Sequence, residues 1–187
     1  MTERFKTLTE AEMTPEQKKL AAAIIAGPRK QMRGGPFQAL LRTPEMGDIV
    51  QQFGAHVRFK SVLPDPLKEL AILVTARHWT AQYEWYAHRR MGEQAGLDPA
   101  IADAIAAGRR PERLSPDETI VYDFASELLQ TAEVSDKNYD AVRARFGERG
   151  VVELVCTLGY YSTVSMILNV HRHPVPPEAK PLPKLGR

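Results

Sequence analysis

The chain has 187 residues, of which 43% are hydrophobic and 26% are charged, and its formal net charge is only +2. This composition is typical of a globular protein and excludes a disordered chain or a fibrous repeat. The only cysteine, Cys156, excludes an intramolecular disulfide, a Cys-x-x-Cys redox pair and a multi-thiolate zinc site within one chain.

The N-terminal residues predict neither a signal peptide nor a membrane anchor. Met1 is followed by Thr-Glu-Arg-Phe-Lys, and no uncharged apolar run approaches the ~20 residues that span a bilayer. We therefore expect a cytoplasmic protein without membrane contacts. Basic clusters at residues 29–33 and 109–113 lie beside Gly and Pro in predicted loops, with no aromatic residues between them, so no nucleic-acid partner is expected.

Helix starts recur along the chain as a capping residue followed by proline. A side-chain oxygen at the N-cap accepts a free backbone N–H of the first turn, and proline at the next position loses no hydrogen bond. The pairs are Thr14-Pro15, Thr43-Pro44, Asp65-Pro66, Asp98-Pro99 and Ser115-Pro116. Four glycines follow apolar stretches and are predicted to end helices in the left-handed conformation: Gly27, Gly96, Gly108 and Gly147.

These signals predict an all-α bundle of about eight helices in one domain, residues 1–187. The predicted helices are about 15–26, 44–59, 66–79, 81–95, 99–107, 116–132, 136–146 and 149–170. The last helix is apolar on most sides, which predicts a central position or a subunit interface, and hence a homo-oligomer. The proline-rich tail, residues 174–187, is predicted to run over the surface or to wrap a partner subunit.

Ionisable side chains lie within the apolar helices predicted between residues 65 and 96. Glu69 shares a helical stripe with apolar residues, so its carboxylate is not expected to face open solvent. Glu84 and His88 are one turn apart on the next helix and are expected to be in contact. A histidine held by a carboxylate, with a reference pKa near 6.5, is suited to general acid–base catalysis.

The same residues also have purely structural interpretations. Glu84 and His88 could form only an exposed ion pair on one helix. Glu69 could be a buried partner of Arg77, or Arg77 could complement the negative end of its own helix. The aromatic cluster at residues 83–86 is more often part of a core than of a ligand site. Spacing alone leaves these alternatives open.

The motif resembles that of the carboxymuconolactone decarboxylase and alkylhydroperoxidase D superfamily, in which a glutamate precedes Cys-x-x-Cys and a histidine. Glu69, Ala81, Glu84 and His88 have that family's spacing, with Ala81 and Glu84 at the two cysteine positions. An alanine methyl or a carboxylate cannot attack a peroxide and form a disulfide. The resemblance, which covers about residues 33–173, therefore implies the decarboxylase-type branch and excludes the thiol peroxidase activity.

The resemblance implies an alkylhydroperoxidase D-like helical bundle that acts without a cofactor or metal, on a small carboxylated lactone or related acid of aromatic catabolism. It implies that His88 donates a proton while Glu84 and Glu69 orient or charge-balance it. Arg77 would bind a substrate carboxylate or lactone oxygen. The predicted apolar pocket wall consists of Tyr83, Trp85, Phe37 and Tyr160. The family tendency implies a dimer, trimer or hexamer.

Two other functions remain open at this point. A metal-assisted site could use Glu69, Glu84 and His88, with His171 and His173 from a neighbouring chain. A non-enzymatic oligomer could instead bury the same polar network to fix subunit register, or bind a small molecule without turnover. A pocket that opens beside Glu84 and His88 would favour the enzyme over the closed network.

Overall fold

A computed structural model describes residues 3–32 and 34–185 of the chain. Arg33 and both ends of the predicted domain lie outside the described residues. The helices are α1 (Pro15–Ala26), α2 (Phe37–Leu40), α3 (Pro44–Phe59), α4 (Asp65–Trp79), α5 (Gln82–Gln94), α6 (Pro99–Ala106), α7 (Pro116–Thr131) and α8 (Asp136–His171). A 3-10 turn at Glu10–Glu12 precedes them. The described part of the chain contains no strand, which confirms the all-α prediction.

The predicted N-caps are present at three of the five proline pairs. Thr14, Asp98 and Ser115 each accept a backbone N–H of the first turn of their helix. Thr43 precedes α3 without such a bond, and Asp65 is the first residue of α4 rather than its cap. At these two pairs the helix begins without a side-chain acceptor for the N–H groups of its first turn. The sequence pattern alone does not distinguish such a helix start from a capped one.

Glycine ends some helices as predicted, but not all of them. Gly96 and Gly108 have positive φ, whereas Gly27 is extended with φ −71° and ψ −175°. Gly147, with φ 71° and ψ 175°, is non-helical and divides α8 into two helical segments, which agrees with the two helices predicted at 136–146 and 149–170. The chain leaves α4 at Thr80, a residue with φ 50° that no glycine signal marks.

Helix α4 is the centre of the fold and packs against α5, α7 and α8. Every residue from Leu67 to Arg77 is buried, so this helix has no solvent face along most of its length. Around it lies the main apolar core, which includes Leu73, Phe124, Leu154 and Leu158. A polar side chain on α4 is therefore surrounded by other helices, and it needs a partner on one of them.

Helix α8 is long and apolar enough to cross a bilayer by length and composition alone, which is a weak indication in a single helix. Half of its most apolar stretch is buried inside the protein, as expected for the central helix of a bundle. Apolar side chains are also exposed along one of its faces: Val152, Val155, Met166 and Val170. The predicted central position of this helix is therefore correct for its buried face.

The proline-rich tail runs over the surface of its own chain. Leu182 is only 3% exposed and completes the main core. Its backbone N–H and carbonyl both pair with the side-chain amide of Gln82, at 2.8 Å each. Of the two predicted routes for this segment, the structure thus shows the surface route.

Alanine in place of Gly54 on α3 is expected to destabilise the fold by about 1–3 kcal/mol, because the added methyl group would overlap the buried ring of Tyr160 and force it to shift. An added Cβ would lie 2.1 Å from the Cζ atom and the hydroxyl of that tyrosine. The matched control is Gly159→Ala on α8, where nothing lies within 4 Å of the added Cβ. There the better helix propensity of alanine should raise stability by up to about 1 kcal/mol. Urea unfolding gives the free energy of unfolding of both variants. Equal values would contradict the close contact between Gly54 and Tyr160.

Candidate functional site

A single histidine is held between two carboxylates at the interface of α4 and α5. The Nδ1 atom of His88 lies 2.6 Å from Oε2 of Glu69, and its Nε2 atom lies 2.9 Å from Oε1 of Glu84. All three residues are buried, with exposed fractions of 4% for His88, 7% for Glu69 and 4% for Glu84. The structure therefore brings the three residues predicted to be catalytic into one network.

Local sequence explains how the helices place these groups. Glu84 and His88 are four residues apart on α5, so both side chains project from the same face. Thr80 reverses the chain after α4 and sets α5 against it. Gly92, one turn after His88, would place a Cβ 3.4 Å from the Cβ of Glu69 and 3.3 Å from Leu97. A larger residue at Gly92 would hold the two helices apart, so this glycine permits the close approach of Glu69 to the histidine.

Two residues from other helices complete the surroundings of the histidine. The ring of Tyr161 on α8 meets the ring of His88 edge to face, with centroids 4.8 Å apart. Burial raises the pKa of this tyrosine well above its ordinary value, so its hydroxyl stays protonated. For Arg58 on α3, burial acts to lower the pKa, but Tyr161 and Glu69 outweigh it and the pKa is raised. The network thus contains a permanent guanidinium beside two carboxylates.

The two carboxylates determine the charge of the histidine. Burial by itself lowers the pKa of His88, but the negative charges of Glu84 and Glu69 and their hydrogen bonds outweigh it and raise the pKa to about 9. The ring is therefore an imidazolium at neutral pH, and each ring N–H donates to one carboxylate. In this state the histidine holds a proton that it can pass to either neighbour.

The raised pKa predicts how stability changes with pH. The folded state binds the His88 proton up to about pH 9, whereas the unfolded state loses it near pH 6.5, so stability is full below pH 6.5 and falls as pH rises to about 9. A shift of this size corresponds to about 3 kcal/mol. Urea unfolding at several pH values should show this loss in the wild type and not in His88→Gln. A wild-type stability that stays level between these pH values would contradict the charged histidine.

A cavity of about 340 Å³ opens beside the network, and both Glu84 and His88 line it. Three of the four predicted pocket-wall residues also line it: Tyr83, Phe37 and Tyr160. The loop before α2 comes close because Gly34 has φ 70° and no side chain; a Cβ there would lie 1.8 Å from the hydroxyl of Tyr83. The exposed-pair interpretation of Glu84 and His88 is therefore wrong, since both are buried at a cavity.

Arg77 and Trp85 do not lie at this cavity. The guanidinium of Arg77 donates to the carbonyls of Ala106 and Pro183 and to the hydroxyl of Thr80, at 3.2, 2.6 and 2.7 Å. It therefore holds the C-terminal tail against α4 and α6 and does not pair with Glu69, whose partner is His88. The ring of Trp85 packs into the main core instead, among apolar side chains of the neighbouring helices.

Sequence reasoning missed most of the other residues that line the cavity, among them Arg29, Arg58, Met91 and Tyr161. Arg29 belongs to a basic cluster that the sequence places in a loop, and nothing in the local pattern shows that this loop turns inward. Tyr161 follows the predicted Tyr160 directly, but two consecutive helical residues point in different directions. The packing of α8 on α5 brings Tyr161 to the histidine, whereas Met91 lies on α5 itself, three residues after His88.

The geometry does not gather Glu69, Glu84 and His88 around one metal ion, because the two carboxylates lie at opposite ring nitrogens. Among the described residues, one other group has ligand atoms within 4.8 Å of one another: Glu3, His171 and His173. The backbone N–H of Phe5 donates to Nδ1 of His171 at 3.2 Å, which leaves the ring proton on Nε2, 2.9 Å from Glu3. That nitrogen has no free lone pair for a metal.

Comparison with known proteins establishes the fold. No protein-family model matches the sequence, and no curated protein sequence gives a significant match. An uncharacterized peroxidase-related protein from Ralstonia eutropha with an alkylhydroperoxidase AhpD core superposes with a TM-score of 0.75 at 14% identity, covering 94% of this chain and 93% of that one. A protein of unknown function from Agrobacterium tumefaciens, suggested to be the antioxidant defence protein AhpD, gives 0.62 at 16% identity, covering 76% and 100%. The chain thus has the predicted AhpD-like helical fold.

Proposed function

We propose that this protein is a cofactor-independent enzyme that transfers a proton to or from carbon in a small carboxylated substrate. The favoured reaction is decarboxylation of a carboxylated lactone or a related unsaturated acid, in keeping with the motif formed by Glu69, Glu84 and His88. The observation that carries the proposal is the position of His88, which bridges two buried carboxylates and lines a cavity. Such a group holds a proton at neutral pH and can donate it through a neighbouring carboxylate.

Glu84 is the group that exchanges a proton with the substrate. Both ring nitrogens of His88 face carboxylates, so the ring reaches a bound molecule only through the carboxylate that shares the cavity wall. Loss of carbon dioxide leaves the electron pair of the broken C–C bond on the substrate as a dienolate. The proton on Nε2 of His88 then passes to Glu84 and from Glu84 to the dienolate carbon, which leaves His88 neutral and Glu84 a carboxylate again. Glu69 at Nδ1 stabilises the imidazolium that supplies this proton.

The cavity supports an enzyme more than a structural network. A polar network that only fixes the packing of helices is enclosed on every side, whereas Glu84 and His88 line a space of about 340 Å³. That volume is in the range of about 300–1,000 Å³ for ligand sites, and such sites combine apolar walls with a few polar groups. A two-thiol peroxidase mechanism has no basis in this sequence, because Cys156 is its only cysteine.

The proposal is tested by a thermal-shift screen of carboxylated lactones and unsaturated acids against wild type and His88→Ala, with His56→Ala at an exposed histidine as the control. Each stabilising compound is then incubated in D₂O and followed by NMR. We expect wild type and the control to convert a ligand, or to exchange its acidic C–H for deuterium, and His88→Ala to do neither. Ligands that bind wild type with no exchange or turnover would show a binding protein instead of an enzyme.

A further inference from the structure

The cavity beside Glu84 contains two arginine side chains that form no salt bridge among the described residues. Arg29 comes from the loop after α1, and Arg58 comes from the end of α3. No carboxylate of the described chain lies within 4.0 Å of either guanidinium, although eleven ion pairs occur among other residues. A half-buried guanidinium whose N–H groups are only partly paired, and with weak acceptors, costs free energy, so its position at a cavity is consistent with an anion as its partner.

Arg29 is held in place by aromatic rings rather than by an anion. Its guanidinium carbon lies 5.4 Å from the ring centre of Phe37 and 5.9 Å from that of Phe59. One terminal nitrogen makes a long hydrogen bond of 3.4 Å to the hydroxyl of Tyr160, and the buried Nε atom has no partner. The rings fix the plane of the guanidinium while most of its five N–H donors remain available to a ligand.

The formal charge of the site also favours an anion. Arg29, Arg58 and the protonated His88 carry three positive charges, and Glu69 and Glu84 carry two negative charges, which leaves one positive charge in excess. Arg58 lies close enough to the carboxylates for them to raise its pKa, and its Nη2 atom contacts the sulfur of a methionine, a weak acceptor. Of the three cations at this site, Arg29 is therefore the one whose charge is least compensated by the described residues.

We infer that the cavity binds a small monoanionic carboxylate, with its carboxylate on Arg29 and its reacting carbon towards Glu84. The orientation of the substrate in this inference rests on the proposed function, in which Glu84 is the group that exchanges the proton. The aromatic walls at Phe37 and Tyr160 suit a flat, unsaturated ring between the two ends. A planar carboxylate fits the fork of a guanidinium through two parallel hydrogen bonds.

The test compares benzoate with benzamide, which has the same ring and shape but no charge, by isothermal titration calorimetry. Wild type should bind benzoate about 10- to 100-fold more tightly than benzamide, the range expected of charge-assisted hydrogen bonds. Arg29→Gln should bind the two equally, and Arg29→Lys should keep part of the preference because it keeps the charge. The control is Arg143→Gln, which removes an exposed arginine that also lies over an aromatic ring, at 5.6 Å, and should keep the full preference.

Thermal unfolding without ligand shows whether Arg29→Gln is folded. If Arg29→Gln is unfolded, the benzoate preference of Arg29→Lys, compared with that of wild type, tests the role of Arg29. The inference is overturned if wild type shows no preference for benzoate, including no binding at all, or if Arg29→Gln retains the preference. The catalytic proposal is tested separately with Glu84→Gln. This variant should keep the preference for benzoate and lose only the deuterium exchange of a ligand found by the thermal-shift screen. A protein that prefers benzoate but never exchanges a proton would support the anion site and reject the acid–base enzyme.

Discussion

Glutamine in place of Glu84 is expected to slow proton transfer to a bound substrate by a factor of about 10² to 10⁴, the usual contribution of a general acid or base. The amide has the shape of the carboxylate and can still accept a hydrogen bond from Nε2 of His88, but it cannot take up the proton. Glu84 is 4% exposed and lines the cavity, so the substitution changes a group that faces a bound ligand. The rate of solvent deuterium incorporation into a ligand found by the screen measures the effect.

The matched control for this substitution is Glu93→Gln, which lies on the same helix. Glu93 pairs with Arg89 at the surface, at 2.9 Å, and does not line the cavity. Its replacement should leave the exchange rate within a factor of about two, since surface pairs contribute little. A Glu84→Gln protein that exchanges deuterium as fast as this control would remove Glu84 from the mechanism and leave the cavity as a binding site only.

Replacing Glu69 by glutamine is expected to destabilise the protein by about 3–5 kcal/mol, because it breaks a buried ion pair and leaves the charge of His88 with one partner. The distance of 2.6 Å between Glu69 and the ring is the shorter of the two contacts of the histidine. The loss of one negative charge should also bring the pKa of the histidine below its present value of about 9. Urea unfolding and NMR titration of the ring carbon protons measure the two effects.

Asp103→Asn is the control for charge removal at a surface pair. Asp103 binds Arg89 at 2.7 Å with its carboxylate more than half exposed, and its loss should cost less than about 1 kcal/mol. If Glu69→Gln unfolds no more easily than Asp103→Asn, the buried pair makes no net contribution to stability. An unchanged pKa of His88 in the same variant would show that Glu69 does not hold the imidazolium.

The helices and the contact between Glu84 and His88 follow from local sequence. Ser115 and Thr14 form the predicted capping boxes, because the reach of a side chain to the next three backbone N–H groups depends on nothing else in the protein. In the same way, a spacing of four residues places two side chains on one helical face wherever the helix lies. The all-α fold and this half of the site are therefore determined by residues that are close together in the chain.

Tertiary packing decided which residue pairs with Glu69 and where Arg77 lies. It also decided which arginines line the cavity. The sequence allowed Glu69 to bind Arg77, but the crossing of α4 and α5 gives it His88, and the returning tail occupies Arg77. Arg29 is more than fifty residues from the histidine in sequence and reaches the cavity only because its loop folds back over it. A helix fixes the direction of each side chain about its own axis, whereas the neighbours it meets depend on how the helices pack, and that depends on the whole buried surface.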